Sequence, residues 1–190
     1  ANNDESIGKL IALAVDRVGQ DGSITIEESR SLETSLDVTE GFRLRAGYCA
    51  NAFITDERRA TMHHDDPLLV VAEDIDGQAL AAMIMNAMRG TLKVAAIKAP
   101  QYGEERRNML SDLAVSTGAT FITREGGKNL RDVKMVDLGS AKLIESNKYN
   151  TTVVGGKCDL ELVEQRIETL KNLIKDTESL KECSRIQERI

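Results

Sequence analysis

The spacing of apolar residues predicts helices at both ends of the chain. Near the start, residues 4–18 carry Ile, Leu, Ala and Val at intervals of three and four, which is the period of one helical face. Residues 159–176 and 178–190 are charged, amphipathic and almost free of Gly and Pro, and they predict two further helices. We expect the initial helix to be the packing partner of this tail.

The middle of the chain has a different pattern, in which short apolar runs alternate with segments of helical spacing. The continuous run at 68–72 predicts a strand that is covered on both faces. The order β-α-β-α-β follows from that strand, helices at 77–89 and 104–116, and strands at 92–97 and 119–123. Short strands are also predicted at 22–27, 35–39, 141–145 and 151–154. The fold class is therefore α/β, with a parallel-containing sheet core flanked by helices and a small helical module formed by both chain ends.

Composition and charge narrow the classes of function. The chain has 190 residues, of which 41% are apolar and 29% charged, as expected of a globular protein. A net charge of −6 argues against nucleic acid as a partner, because phosphate binding needs a concentrated basic surface. No apolar run approaches the roughly 20 residues of a membrane span. The three cysteines form no Cys-x-x-Cys pair, which favours a reducing compartment.

Two polar clusters invite a catalytic or metal-binding interpretation, and both are weak. His63 and His64 are adjacent, so on an extended chain they point to opposite faces and do not chelate one ion together; a solvated loop before Pro67 is expected instead. The carboxylates after the 68–72 run, at 73, 74 and 76, lack a Gly-x-Gly-x-x-Gly or Gly-Lys-Ser/Thr pattern beside them. We interpret them as a polar strand-to-helix turn that includes a helix cap.

The segment 77–89 is apolar nearly all round. Leu80, Met83, Ile84 and Ala87 form one stripe, while Ala81, Met85 and Met88 form another. Pattern alone favours burial of the whole helix in the core. The alternative is that one stripe packs inward while the other stays exposed as an adaptable apolar surface, for which Met is well suited.

A resemblance to a known family changes that balance. The runs EDIDGQAL at 73–80 and NAMRGTLKVAAIKAP at 86–100 resemble the apical domain of group I chaperonins of the GroEL type. GEERR at 103–107 and MLSDLA at 109–114 continue the likeness, VTEG at 38–41 matches the entry to that domain, and DLGSAK at 137–142 matches its exit. The likeness covers essentially the whole chain in one order.

The resemblance implies an apolar groove that binds non-native polypeptides and a co-chaperonin. The matching positions are Tyr48, Phe53, Leu80, Ile84, Met85 and Asn86. Ala52 stands where the family usually has an aromatic residue. Gly41 and Gly156 match the hinges between an apical domain at 41–156 and an intermediate domain formed by 1–40 and 157–190.

The resemblance also implies parts that this chain lacks. The family normally has another strand and an amphipathic helix between the positions of Pro67 and Leu68, and that helix forms the other wall of the groove. The ATP-hydrolysing equatorial domain is absent, so no catalytic residue, metal or cofactor is expected here, whereas ATP and Mg²⁺ belong to the full-length parent. Like subunits of a ring are implied partners, in a bacterial-type cytoplasm or an organelle matrix.

Two other interpretations stay open at this point. The chain would be a regulatory or scaffold module if the 77–89 helix were fully buried. It would be a nucleotide-dependent enzyme domain if polar groups converged at the strand ends. The exposure of Leu80, Ile84 and Met85 separates the first of these from the chaperonin interpretation.

Overall fold

The computed structural model describes residues 5–18, 41–75, 77–123, 125–177, 179–187 and 189–190. The protein is a mixed α/β structure that divides into two compact units. The central unit is Glu40–Arg166, and the terminal unit combines Ala1–Thr39 with Ile167–Ile190. The strands predicted at 22–27 and 35–39 lie outside the described residues.

Five helices and eight strands occur in the described part of the chain. The helices are α1 (Glu5–Val18), α2 (Gly77–Met88), α3 (Gly103–Thr117), α4 (Leu160–Asp176) and α5 (Leu180–Gln187). The strands are β1 (Gly41–Leu44), β2 (Met62–Asp65), β3 (Leu68–Leu69), β4 (Val71–Ala72), β5 (Phe121–Ile122), β6 (Gly139–Ser140), β7 (Leu143–Ser146) and β8 (Thr151–Val154). All five helices were predicted, although α5 is shorter than the pattern at 178–190 indicated.

The largest sheet is antiparallel, with the strand order β1-β8-β7-β2. Alternate residues of β8 face inward, and the buried Thr151 hydroxyl lies 2.7 Å from that of Ser146 and donates to the carbonyl of Ala46 at 2.6 Å. These bonds satisfy polar groups that would be costly to bury alone. The expected loop around His63 and His64 is wrong, because both residues lie in β2, paired with β7.

The predicted parallel core is much smaller than expected. Among the described strands, only β4 and β5 pair in parallel, over two residues each, with α3 packed against them. The strand predicted at 92–97 does not form, because its backbone bonds to a loop instead: Cys49 N–H donates to the Ala96 carbonyl at 2.8 Å and Lys98 N–H to that of Gly47 at 2.9 Å. The β-α-β-α-β order is therefore wrong as a description of the sheets.

The run at 68–72 is not covered on both faces. Leu69 and Val71 are buried, whereas Leu68 is 59% and Val70 51% exposed. The backbone changes partner within this run, since β3 pairs with β6 and β4 with β5. Side chains of an extended chain alternate between faces, so one face of this run packs inward and the other remains open.

Each unit has its own buried residues. The central core is built from side chains of the antiparallel sheet, the 68–72 run and α3, including Leu44, Met62, Val71 and Leu113. In the terminal unit, Ala14 of α1, Leu170 of α4 and Ile186 of α5 are buried. The unit boundary falls inside α4, so α1 and the predicted tail helices share one unit from Ile167 onward.

Candidate functional site

Helix α2 lies on the central core with one side inward. Leu80, Met83, Ile84 and Ala87 are partly buried and pack against the core cluster. The helix also contacts a short 3-10 turn at Asn51–Phe53. The spacing of three and four residues places these four side chains on one face. The pattern did not indicate which stripe packs inward, and the resemblance placed Leu80 and Ile84 in the binding groove.

The opposite side of α2 is open. Met85 is 48% and Met88 71% exposed, and none of the residues of α2 is fully buried. Only Gln78 and Asn86 are polar within the helix. The interpretation of a fully buried helix is therefore wrong, because α2 exposes two Met side chains on its outward, largely apolar face.

The six predicted site residues fall into three kinds of environment. Tyr48 and Phe53 are buried, at 7% and 3% exposure. Leu80 and Ile84 are half-buried against the core, and only Met85 and Asn86 are exposed. The structure brings the turn that carries Phe53 against α2. It makes Met85 the accessible apolar member of the set, and Leu80 and Ile84 contribute packing as well as surface.

Asn86 stabilises the end of α2. Its side-chain amide donates to the Ala82 carbonyl at 2.8 Å and its side-chain oxygen accepts from the Thr91 hydroxyl at 3.0 Å. The Thr91 N–H donates to the Asn86 carbonyl at 3.2 Å, and Gly90, at a φ of 64°, follows the last turn. Left-handed backbone of this kind favours glycine and ends helices. The bonds of Asn86 therefore fix the exit of α2.

The residue that sequence reasoning left out of the site is Met88. It is the most exposed apolar side chain of α2, and it lies one turn beyond Met85. The signal was present in the second stripe of the pattern. Positional resemblance to the chaperonins did not select it.

An ion-pair cluster lies beside the start of α2. The Arg107 guanidinium of α3 donates to Glu73 from Nε at 3.0 Å and to Glu125 from Nη1 at 2.8 Å. These hydrogen bonds, to Glu73 first, raise the pKa of Arg107. Glu73 is thereby held in a structural pair that joins the end of β4 to α3. Asp74 bonds locally, accepting from the Ile75 N–H at 2.9 Å, and residue 76 lies outside the described residues.

The histidines of β2 do not assemble a metal centre with their neighbours. His63 Nε2 lies 3.3 Å from Asp65 Oδ1, two residues along the same strand face. Burial lowers the pKa of His64, and the positive charges of His63 and Lys93 lower it further. Within the described ranges, no group of three His, Cys, Asp or Glu side chains is placed to hold a metal ion.

The predicted hinge glycines are sites of close backbone approach. A Cβ on Gly41 would lie 2.1 Å from the Val153 carbonyl oxygen, and one on Gly156 would lie 2.0 Å from that of Ser116. Gly41 pairs with Val154, two residues before Gly156. Glycine is required at both positions for packing, whatever rotation occurs there.

Comparison with known proteins adds no family assignment, since no family model matches the chain. None of the helices in the described part is long and apolar enough to cross a membrane.

Proposed function

We propose that this chain is the polypeptide-binding part of a chaperonin-type molecular chaperone, and that the outward face of α2 contacts the client. The observation that carries the proposal is the exposure of Met85 and Met88 on a helix whose other apolar stripe is anchored to the core. The likeness of 73–80 and 86–100 to the GroEL-type apical domain supports the same helix, at Leu80, Ile84 and Met85, whereas Met88 comes from its exposure alone.

The mechanism is burial of apolar area without reading a sequence. Non-native chains expose apolar side chains, and each Å² that both partners remove from water contributes roughly 25 cal/mol. Methionine is flexible and polarisable, so one surface adapts to many clients. The inward stripe at Leu80 and Ile84 holds the helix in place while the outward stripe changes partners.

The remaining parts of the proposal concern the longer protein. Residues 41–156 correspond to the apical domain, and residues 1–40 and 157–190 correspond to the intermediate domain, with Gly41 and Gly156 as the hinges between these domains. Co-chaperonin competes for the client surface in a ring of like subunits. ATP and Mg²⁺ act in an equatorial domain outside this sequence. Several α2 surfaces around one ring would add avidity.

The test compares two pairs of exposed apolar residues. The double variant Met85→Ser/Met88→Ser removes the outward stripe. The control Met135→Ser/Val136→Ser removes a more exposed apolar pair elsewhere in the central unit, where Met135 is 72% and Val136 83% exposed. Binding of a fluorescently labelled, permanently unfolded polypeptide is measured by anisotropy. Circular dichroism checks the fold of each variant.

We expect the α2 variant to bind the unfolded polypeptide about tenfold more weakly or worse, since partial burial of two Met side chains is worth more than 1.4 kcal/mol. The Met135/Val136 variant should bind like the parent chain. Equal binding by both variants, or an equal loss in both, would show that α2 is not the client surface. Leu80→Ser is a poorer probe, because Leu80 also packs against the core.

A further inference from the structure

A cationic pocket lies in the central unit, lined by residues that the proposed function does not use. It is an open depression of about 350 Å³ between the loop at 45–47, the segment 98–102 with the first turn of α3, and the loop at 148–149. Four positively charged side chains line it and no carboxylate does. The cations are Arg45, Lys98, Arg106 and Lys148. This concentration of one sign stands out in a chain whose net charge is −6.

Three of the four pocket cations make no ion pair with an acid in the part of the chain that the structure describes. Within the part of the chain that the structure describes, Lys98, Arg106 and Lys148 make no ion pair within 4.0 Å. Arg106 donates from Nε to the Gln101 carbonyl at 3.1 Å, which orients the guanidinium but leaves its charge unpaired. Arg45 also interacts with another group of the protein. Like charges held together are unfavourable, so an anion entering the pocket relieves a repulsion already present.

Two tyrosine rings flank these cations. Tyr102 is 84% and Tyr149 71% exposed. The Arg106 guanidinium lies 5.3 Å from the centre of the Tyr102 ring, and the Lys148 ammonium 5.9 Å from that of Tyr149. Each cation is thus held beside an aromatic face, and both rings keep open surface. Aromatic faces stack planar ligands, and a ring next to a cation suits a ligand that carries both a flat group and a negative charge.

The size of the pocket and the charge of the chain select the ligand. A volume of about 350 Å³ lies at the lower end of the range for small-molecule sites. A nucleic-acid polymer or a long acidic peptide would extend past the pocket, and the net charge of −6 of the chain opposes the binding of a long polyanion. The start of α3 at Gly103 adds the positive end of a helix dipole, although Glu104 and Glu105 of its first turn partly offset it. A compact, multiply charged anion fits these constraints best.

We propose that this pocket binds a small phosphate-bearing ligand, with the phosphates among Lys98, Arg106 and Lys148. The proposal does not depend on client binding by α2. A phosphate group offers several strong acceptor oxygens, which matches donors that converge from three separate segments. The ligand is either a nucleotide, whose base stacks on a tyrosine, or a phosphate compound without a ring.

The chain provides its own reporter for this test. It has no Trp and only three Tyr, of which Tyr102 and Tyr149 line the pocket and Tyr48 is buried. Intrinsic tyrosine fluorescence of the full chain therefore reports mainly on the pocket. Pyrophosphate, which does not absorb at the excitation wavelength, is titrated by fluorescence. Adenosine diphosphate, adenosine and pyrophosphate are compared by isothermal titration calorimetry at low salt.

Matched double variants test the residues. Lys98→Gln/Lys148→Gln removes two charges from the pocket, and Arg58→Gln/Lys93→Gln removes two exposed charges that do not line it. We expect the pocket variant to bind pyrophosphate at least roughly tenfold more weakly, because hydrogen bonds to charged groups are each worth about that factor. The control variant should bind like the parent chain, and sodium chloride should weaken binding in both.

The three ligands separate the two sources of phosphate. Tighter binding of adenosine diphosphate than of pyrophosphate identifies a nucleotide, and equal binding identifies a ligand without a stacking ring; both outcomes support the phosphate site. The proposal is overturned if neither phosphate compound binds at millimolar concentration. It is also overturned if the pocket and control variants lose affinity equally, or if a short polyglutamate peptide binds and pyrophosphate does not displace it.

Discussion

Replacing Gly156 with alanine separates packing from rotation at the predicted hinge. The added Cβ would lie 2.0 Å from the Ser116 carbonyl oxygen and 3.0 Å from its carbonyl carbon. An ordinary contact is at least 3.4 Å. The backbone around Gly156 and the backbone at Ser116 must therefore move apart, because small changes in bond geometry cannot remove the overlap. Neither partner is a flexible side chain. The strain therefore falls on the end of α3, where Leu113, Ala114 and Thr117 are buried.

The expected cost is about 1–3 kcal/mol of unfolding free energy, the range for overpacking a well-filled interior. For a unit of this size, that lowers the melting temperature by roughly 3–10 °C. Thermal unfolding is followed by circular dichroism and repeated in urea. Gly126→Ala is the control, because its Cβ would meet the Thr123 hydroxyl at 3.0 Å and the Thr123 carbonyl oxygen at an ordinary 3.7 Å. A shift of the Thr123 side chain by a few tenths of an ångström relieves the closer contact, so the effect should stay within about 0.5 kcal/mol.

A melting temperature for Gly156→Ala within a degree of the parent chain would refute the packing argument. Glycine at this position would then be needed only for backbone rotation and not for close packing. A large loss for both Gly156→Ala and Gly126→Ala would also count against it, since the control has no backbone obstacle. Only the combination of a destabilised Gly156→Ala and a neutral Gly126→Ala agrees with the close approach seen in the structure.

Two further predictions concern buried carboxylates of the central unit. The hydrogen bond from the Lys128 ammonium, followed by that from the Lys134 backbone N–H, lowers the pKa of Asp137 below its ordinary 3.8. The ionised Asp137 carboxylate should therefore stabilise the fold fully above about pH 4, and this stabilisation should be lost as the pH falls through the lowered pKa. In urea unfolding, the difference in unfolding free energy between the parent chain and Asp137→Asn should be constant from pH 7 to 5 and should shrink below pH 4. A difference that grows in acid would contradict this. Arg166→Gln removes the 2.7 Å bond from Nε to the buried Asp112 carboxylate, and we expect a loss of about 1.5–3 kcal/mol in the same assay. An unchanged midpoint would mean that this pair is dispensable.

Helices were predictable from the sequence because their signal is local. The stripes of α1 and α4 repeat over several turns. In the structure, the αL glycine at 118, with a φ of 71°, ends α3. The short strands predicted at 141–145 and 151–154 also form, as β7 at Leu143–Ser146 and β8 at Thr151–Val154. These elements depend on residues that are close in sequence, so composition and period describe them well.

The pairing of strands was not predictable in the same way. The run at 92–97 has a strand-like composition, yet its backbone bonds to the loop around Gly47, which lies far away in sequence. The strand at 62–65 carries two histidines and an aspartate and was interpreted as a loop, although β7 supplies it with a partner. Backbone pairing is a tertiary property, and propensity alone does not determine it.

Solvent exposure was the property that the sequence pattern predicted least well, as α2 and the 68–72 run both show. An all-apolar helix is compatible with burial on every side or with a position at the surface, and α2 takes the second. The run at 68–72 posed the same question, and it also leaves apolar side chains open, at Leu68 and Val70. Both elements are more exposed than the pattern predicted. A folded unit that leaves apolar faces uncovered on two elements invites association, and the net charge of −6 favours solubility in spite of it. Under the proposed function, capture of non-native polypeptide would give one cause for the open faces of α2 and of the 68–72 run, whereas a regulatory module with a complete core would leave both without one.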